Sequence, residues 1–193
     1  ITLKNEIPAT GVACPIEVII ENTADCPRYT GILINDVTVS ASPKWMQQRL
    51  KAIGQRSINN IVDITNYILH DTGQPLHAFD ADQIKGGKVR IKNLPAGTSF
   101  IGLDEKERKL EAGDLMICDN DSNPMCMGGV FGGKGSGVTE ATKNIFLESA
   151  WFHPVSIRKS SFKHQLRTDA AMHFEKSVDI GQTLEVLKKA TLL

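Results

Sequence analysis

Neither sign of charge is in excess in this chain of 193 residues: 22 Lys and Arg face 22 Asp and Glu, so the formal net charge is 22 − 22 = 0 with histidines neutral. A module that grips nucleic acid by bulk electrostatics needs a large positive excess to displace counterions from phosphates, and that class is excluded; a local basic face is not. No apolar run approaches the roughly 20 residues that span a bilayer, and the opening string ITLKNEIP has no signal-peptide pattern. The chain therefore reads as soluble and cytosolic, with no membrane partner. It lacks an initiator Met and closes on the helical pattern LEVLKKATLL, so we expect a domain cut from a longer polypeptide. The Cys-x2-Cys knuckle is missing too. Cys14, Cys26, Cys118 and Cys126 form the wide pairs Cys-x11-Cys and Cys-x7-Cys, which reads as buried small hydrophobes rather than a metal site. There is no G-x-S-x-G elbow and no Cys in a nucleophile context, which argues against a covalent hydrolase.

What remains is ordinary globular composition, 41% hydrophobic and 23% charged, in a chain long enough to bury about 70% of its unfolded surface without a staple. Val12 to Ile20 and Tyr29 to Val39 are short β-branched stretches and predict two strands. SPKWMQQRLKAIG predicts an amphipathic helix with Ser42 as N-cap and Pro43 first. A second helix is expected from Ser57, with Ile58, Ile61, Val62, Thr65, Ile68 and Leu69 as its apolar stripe, Asn59, Asp63, Asn66 and His70 on another face, and Gly73 closing it. Gly87 to Phe152 predicts several short strands. The last forty residues return to helix, with starts at Pro154, at Thr168 or Asp169, and at Asp179. Strands, helices, strands, helices without regular alternation give α+β, with mixed or antiparallel sheets and packed helices over 1–193 as one unit.

Several constellations could carry chemistry. PMCMGGVFGGKGSG holds six of the 16 glycines. Gly128, Gly133 and Lys134 match the G-x-x-x-x-G-K spacing, but Gly135 stands where a Ser or Thr must ligate magnesium, so a nucleotide loop is rejected. The stretch is either a tight turn between strands or a backbone surface that a ligand approaches closely. His77, in GQPLHAFD, falls at the rim of a sheet and reads as a packing residue or a catalyst. Glu148, in NIFLESAWF, shares a strand face with Phe146 and Ala150, so its carboxylate either meets a cation or waits for a ligand's donor. Arg158, Lys159, Lys163, Arg167 and Lys176 outnumber Asp169 and Glu175 and form a local basic patch, a solvated helix face or a phosphate contact. Thr168 offers a hydroxyl at a helix start.

The strings SPKWMQQRLKAIGQRSINNIVDITNYILHDTGQPLHAFD and MGGVFGGKGSGVTEATKNIFLESAWFHPVSIRKSSFKHQLRTDAAMHFEKSVD resemble the B3/B4 region of the bacterial phenylalanine–tRNA ligase β subunit, from about Cys26 to Asp179. The resemblance implies an α+β fold and a proofreading activity: hydrolysis of tyrosine mis-attached to tRNA-Phe. Its logic is asymmetric, because an apolar pocket rejects an added hydroxyl weakly whereas a site that bonds the hydroxyl strongly rejects the substrate lacking it. Carried over, Glu148 accepts the phenol and, with an ordinary pKa of about 4.3, is an ionised acceptor at neutral pH. His77 and Asn66 lie near the amino acid and terminal adenosine, Gly129 is where a larger side chain would fill the pocket, and Thr168 and Ala170 form the wall and the ester end. His77 and Thr168 are the expected catalytic pair, His77 as base or as positioner, acting on a water without metal or covalent intermediate. The implied partners are the tRNA-Phe 3′ end and the ligase α subunit of an α2β2 enzyme, in which ATP and magnesium belong to the synthetic reaction and no cofactor belongs to this domain. The other open reading is a structural or tRNA-binding module of the same ligase with an inactive pocket. Phosphates are expected at Arg158, Lys159, Lys163 and Arg167, beside the pocket, with the acidic stretch Asp104 to Asp121 away from it.

Overall fold

β-branched runs and breakers set the strands. In the computed structural model, which describes residues 13–193, β1 is Glu17–Ile20 and β2 is Arg28–Ile34. Both are shorter than the sequence suggests. Val12 lies outside the described residues, and β2 stops because Asp36 adopts φ 58, which no strand accommodates. Helices α1 (Lys44–Ala52) and α2 (Asn60–Thr72) follow. Their starts depart from expectation for one reason: the Asp63 carboxylate, fully buried, takes the hydroxyls of Ser42 and Ser57 and the Ile58 N–H. Pro43 is left as the α1 N-cap without a side-chain bond, and Asn59 caps α2 by accepting from the Val62 N–H. Asp63 thus belongs to the interior rather than to a polar face. Gly73 closes α2 at φ 79, as its lack of a Cβ allows.

Strands β3 (His77–Asp80), β4 (Lys88–Asn93), β5 (Ser99–Ile101), β6 (Glu107–Lys109), β7 (Leu115–Cys118), β8 (Pro124–Met127), β9 (Phe131–Gly132) and β10 (Ile145–Trp151) come next. Helices α3 (Pro154–Lys163), α4 (Asp169–Phe174) and α5 (Thr183–Thr191) end the described chain. Thr168 caps α4, and Asp179 caps a short 3-10 turn that leads into α5. The sheets run β1-β4-β7-β8-β9, with β1 and β4 parallel and the rest antiparallel, then β2-β10-β3, all antiparallel, and the hairpin β5-β6. This is the α+β architecture that the order of elements predicts.

The three-stranded sheet divides the apolar interior. One face carries Ala78, Ile145 and Leu147 against Ile61 and Ile68 of α2 and Val186, Leu187 and Ala190 of α5. The other carries Phe79, Phe146 and Ala150 toward Val89, Ile91, Met116 and Met127 of the five-stranded sheet and toward Phe152, Ile157 and Phe174. Cys26, Cys118 and Cys126 are buried and unbonded, whereas Cys14 is exposed, ahead of β1 and outside both clusters. Among the described residues no helix is long and apolar enough to cross a membrane.

Candidate functional site

β10 is the central strand of its sheet, so alternate side chains enter opposite halves of the interior. Glu148 follows Phe146 into the larger half, 4% exposed. It stands opposite Gly31 of β2 and His77 of β3. Its Oε2 accepts from the phenol of Tyr29 at 2.7 Å. Its Oε1 has no hydrogen-bond partner among the described residues, and the side chain lines a cavity of about 70 Å³ walled by His77, Cys126, Gly129, Phe131, Gly132 and Phe174. Among the described residues no cation meets Glu148. Burial instead pushes its carboxyl up to about 8, with the Tyr29 hydrogen bond only partly opposing the shift. The acid is therefore mostly protonated at neutral pH, contrary to the ionised acceptor expected from its ordinary value.

His77 occupies the junction between this cavity and a larger groove of about 490 Å³. Its ring meets Phe79 edge-on at 4.4 Å, and its Nε2 is buried without a partner. Burial lowers it to about 4, so the imidazole is neutral at pH 7 and a weak base.

Asn66 of α2, Thr168, Asp169 and Ala170 line the groove, opposite Leu103 and Phe131. Thr168 does not have the free hydroxyl that sequence reasoning assigned it. Its Oγ1 donates to the Val130 carbonyl at 2.8 Å and accepts from the Ala171 N–H at 3.1 Å, so it fastens the start of α4 to the glycine turn. Gly129 lines the cavity. It sits at φ 66, and a Cβ there would lie 2.8 Å from Phe152 Cδ2, 2.9 Å from Ile157 Cδ1 and 3.0 Å from Phe174 Cδ2, the last a wall of the cavity. Gly132 lines both the cavity and the groove, and a Cβ there would meet Leu103 Cδ1 of the groove at 2.8 Å and His77 Cε1 at 3.2 Å.

Chain folding thus gathers His77, Glu148, Gly129, Asn66, Thr168 and Ala170 around one continuous recess. It does not bring the four basic residues there. Lys159 and Lys163 line a separate cleft with Asp25, Glu111, Asp114 and His153. Lys163 pairs with Glu111 at 3.0 Å, and Arg167 pairs with Glu175 at 2.6 Å. Arg158 and Arg167 both lie over the Phe162 ring. The acidic stretch is no remote counterweight either: Asp114 takes the Ser160 hydroxyl and meets His164 Nε2 at 2.6 Å, directly under the basic helix. Sequence reasoning missed Tyr29, Cys126, Leu103 and Gly132. Each comes from a different strand or turn and has no local motif to mark it. Among the described residues no group of three or more His, Cys, Asp or Glu is placed to hold a metal ion.

The comparisons with known proteins bear on this recess. The B3/4 domain family model matches residues 25–193. The phenylalanine–tRNA ligase β subunit of Bacteroides fragilis is 54% identical over 178 residues, which is 92% of this chain and 22% of that protein. The β subunit of Porphyromonas gingivalis is 51% identical over 187 residues, 97% of this chain and 23% of that one. A crystal structure of an N-terminal fragment of the Pyrococcus horikoshii phenylalanyl-tRNA synthetase β subunit aligns with a TM-score of 0.48 at 14% identity, covering 76% of this chain and 48% of that fragment. The chain spans about a fifth of the length of the curated relatives it matches. With residues 25–193 matched, the whole recess included, the chain belongs to the B3/4 domain family.

Proposed function

We propose that this chain is the editing module of a phenylalanine–tRNA ligase β subunit and hydrolyses the ester of tyrosine mis-attached to tRNA-Phe. The observation that carries the reading is Glu148: a buried carboxyl with one oxygen unpartnered, facing a small cavity whose other walls are largely apolar. An aromatic ring suits those walls, and a phenol at its tip supplies both the donor and the acceptor that a carboxyl of either charge requires. A phenylalanine side chain in the same place leaves that oxygen without a partner, which is the kind of penalty that discriminates strongly.

The groove takes the rest of the substrate. With the ring in the cavity, the ester lies beside His77 and Ala170, and the terminal adenosine extends along Asn66 and Leu103. An aminoacyl ester is already activated, so holding a water in line accounts for much of the rate. His77, neutral and weakly basic, orients that water. Thr168 keeps α4 seated against Val130, which places Ala170 at the groove wall. No step requires a covalent intermediate. In the parent enzyme, ATP and magnesium serve phenylalanine attachment with the α subunit, at a site remote from this recess.

The test is deacylation of tyrosyl-tRNA and phenylalanyl-tRNA by the complete ligase and its Glu148→Ala variant. The parent is expected to hydrolyse the tyrosyl ester in preference, and the variant to lose that preference by about a hundredfold. Equal rates in parent and variant refute the phenol anchor. A parent that binds tRNA but leaves both esters intact establishes the alternative, a module with an inactive pocket.

A further inference from the structure

Glu148 can recognise a phenol only if its carboxyl is held in one orientation, since the terminal torsion of a glutamate is broad and roughly two-fold. Little around it does this. The residue directly across on β2 is Gly31, and the space above that glycine is filled by Phe146, whose Cζ would lie 2.2 Å from a Cβ there. The residue across on β3, His77, makes no hydrogen bond to the carboxyl. Cys126 of β8 directs its thiol to the carbonyls of Met127 and Phe131, and Cys26, ahead of β2, directs its thiol to the Arg28 carbonyl. Those are the titratable groups nearest the acid, and none is a cation. Among the described residues Tyr29 alone donates to it, reaching diagonally from its place opposite Ala150.

We propose that Tyr29 is a positioning residue for Glu148: its phenol, bonded to Oε2, fixes the carboxyl plane and turns Oε1 into the cavity as the atom that recognises a substrate phenol. The inference deepens the hydrolase reading and rests on it. The site then contains a tyrosine phenol of its own, which satisfies one carboxyl oxygen permanently and leaves a vacancy that a second phenol matches and a phenyl ring does not. Tyr29 also opposes, in part, the upward push that burial gives the acid. Its removal leaves both oxygens without a donor, and the carboxyl both rotates and holds its proton to higher pH.

The experiment is the ratio of kcat/KM for tyrosyl-tRNA over phenylalanyl-tRNA hydrolysis, followed across pH, in the complete ligase and its Tyr29→Phe variant. An ionised carboxylate is the stronger phenol acceptor, so the parent ratio rises as pH passes through about 8. The variant is expected to lose about tenfold more activity on the tyrosyl than on the phenylalanyl ester, with the loss mainly in KM, and to shift the rise to higher pH. Site-specific incorporation of 3-fluorotyrosine at position 29 keeps the shape and strengthens the donor; it is expected to retain the ratio and move the rise to lower pH. This arm decides the question should Tyr29→Phe fold poorly. Unchanged ratio and pH dependence in either altered enzyme, with a parent that depends on Glu148, overturn the role of Tyr29 alone. A parent that leaves tyrosyl-tRNA intact, or one indifferent to Glu148→Ala, overturns the hydrolase reading and the Tyr29 role with it.

Discussion

Asp63 and Glu148 are both carboxyl groups sealed in the interior, 0% and 4% exposed, yet they serve opposite purposes. Asp63 takes three donors from three places, the Ser42 hydroxyl ahead of α1, the Ser57 hydroxyl in the connection, and the Ile58 N–H. Both of its oxygens are bonded, so it stitches α1 to α2. Glu148 takes one donor among the described residues, from Tyr29, and its side chain lines a cavity. Counting donors around a buried acid separates structure from site more sharply than burial does, because a buried polar group left unpartnered costs free energy in the empty protein that a matching ligand recovers.

Breaking the saturated partner should cost most. Asp63→Ala strands two hydroxyls and an N–H in the interior and is expected to destabilise the fold by about 3 kcal/mol, read from denaturant unfolding. Tyrosyl ester hydrolysis should fall only in proportion to the unfolded fraction; selective loss of the tyrosyl preference in the folded fraction would erase the contrast between the two acids.

The Glu148 prediction has the opposite sign. Its native carboxyl titrates near 8 against 4.5 for an unperturbed glutamate, so between those values the folded protein holds a proton that the unfolded chain has released. Stability from this group is full below about pH 4.5 and declines as pH rises through about 8. Glu148→Gln removes that decline and is expected to make the protein more stable than the parent by on the order of 4 kcal/mol at pH 8, with little difference near pH 4.5. Thermal unfolding at the two pH values measures this, and a variant that is less stable at pH 8 refutes the buried, strained acid. His77 behaves in the other direction: its neutral form is buried, so stability is lost as pH falls from 6.5 toward 4.

Smaller effects sharpen the boundary of the site. Thr168→Ala removes the α4 cap and the link to Val130, at a cost of about 1 kcal/mol. Thr168→Ser keeps the hydroxyl and should retain stability, and hydrolysis by Thr168→Ala that falls only with the folded fraction would place Thr168 outside the chemistry. Lys159→Ala, in the separate cleft, is expected to alter kcat/KM for tyrosyl-tRNA by less than about twofold and stability by less than about 0.5 kcal/mol. A tenfold loss with steeper salt dependence would show instead that this cleft holds phosphate.

Much of this was legible from the chain alone, and the misses share a cause. β10 could be read from NIFLESAWF because alternation reports the face of a strand, and Gly73 and Thr168 could be read as cap positions because capping is local. The Ser42 and Ser57 helix starts failed because both hydroxyls were claimed by Asp63, a partner distant in sequence from Ser42. The basic patch stands apart from the recess, and part of its charge is paired. Arg167 closes on Glu175 within its own segment, but Lys163 and His164 find Glu111 and Asp114 in the connection between β6 and β7, and a count of charge along the chain cannot see such pairing.

Residue types, their local spacing and family resemblance determined the element order, the α+β class and the six residues that gather at the recess. Tertiary structure decided what those residues are. Packing set the charge of Glu148, raised by burial without a cation, and it spent the Thr168 hydroxyl on Val130. It also set Gly129 and Gly132 close against side chains from other segments. Protonation, hydrogen-bond saturation and free volume depend on what stands within a few ångströms, and in this fold those neighbours come from β2, β3, β8 and α4, segments separated by tens of residues in the chain.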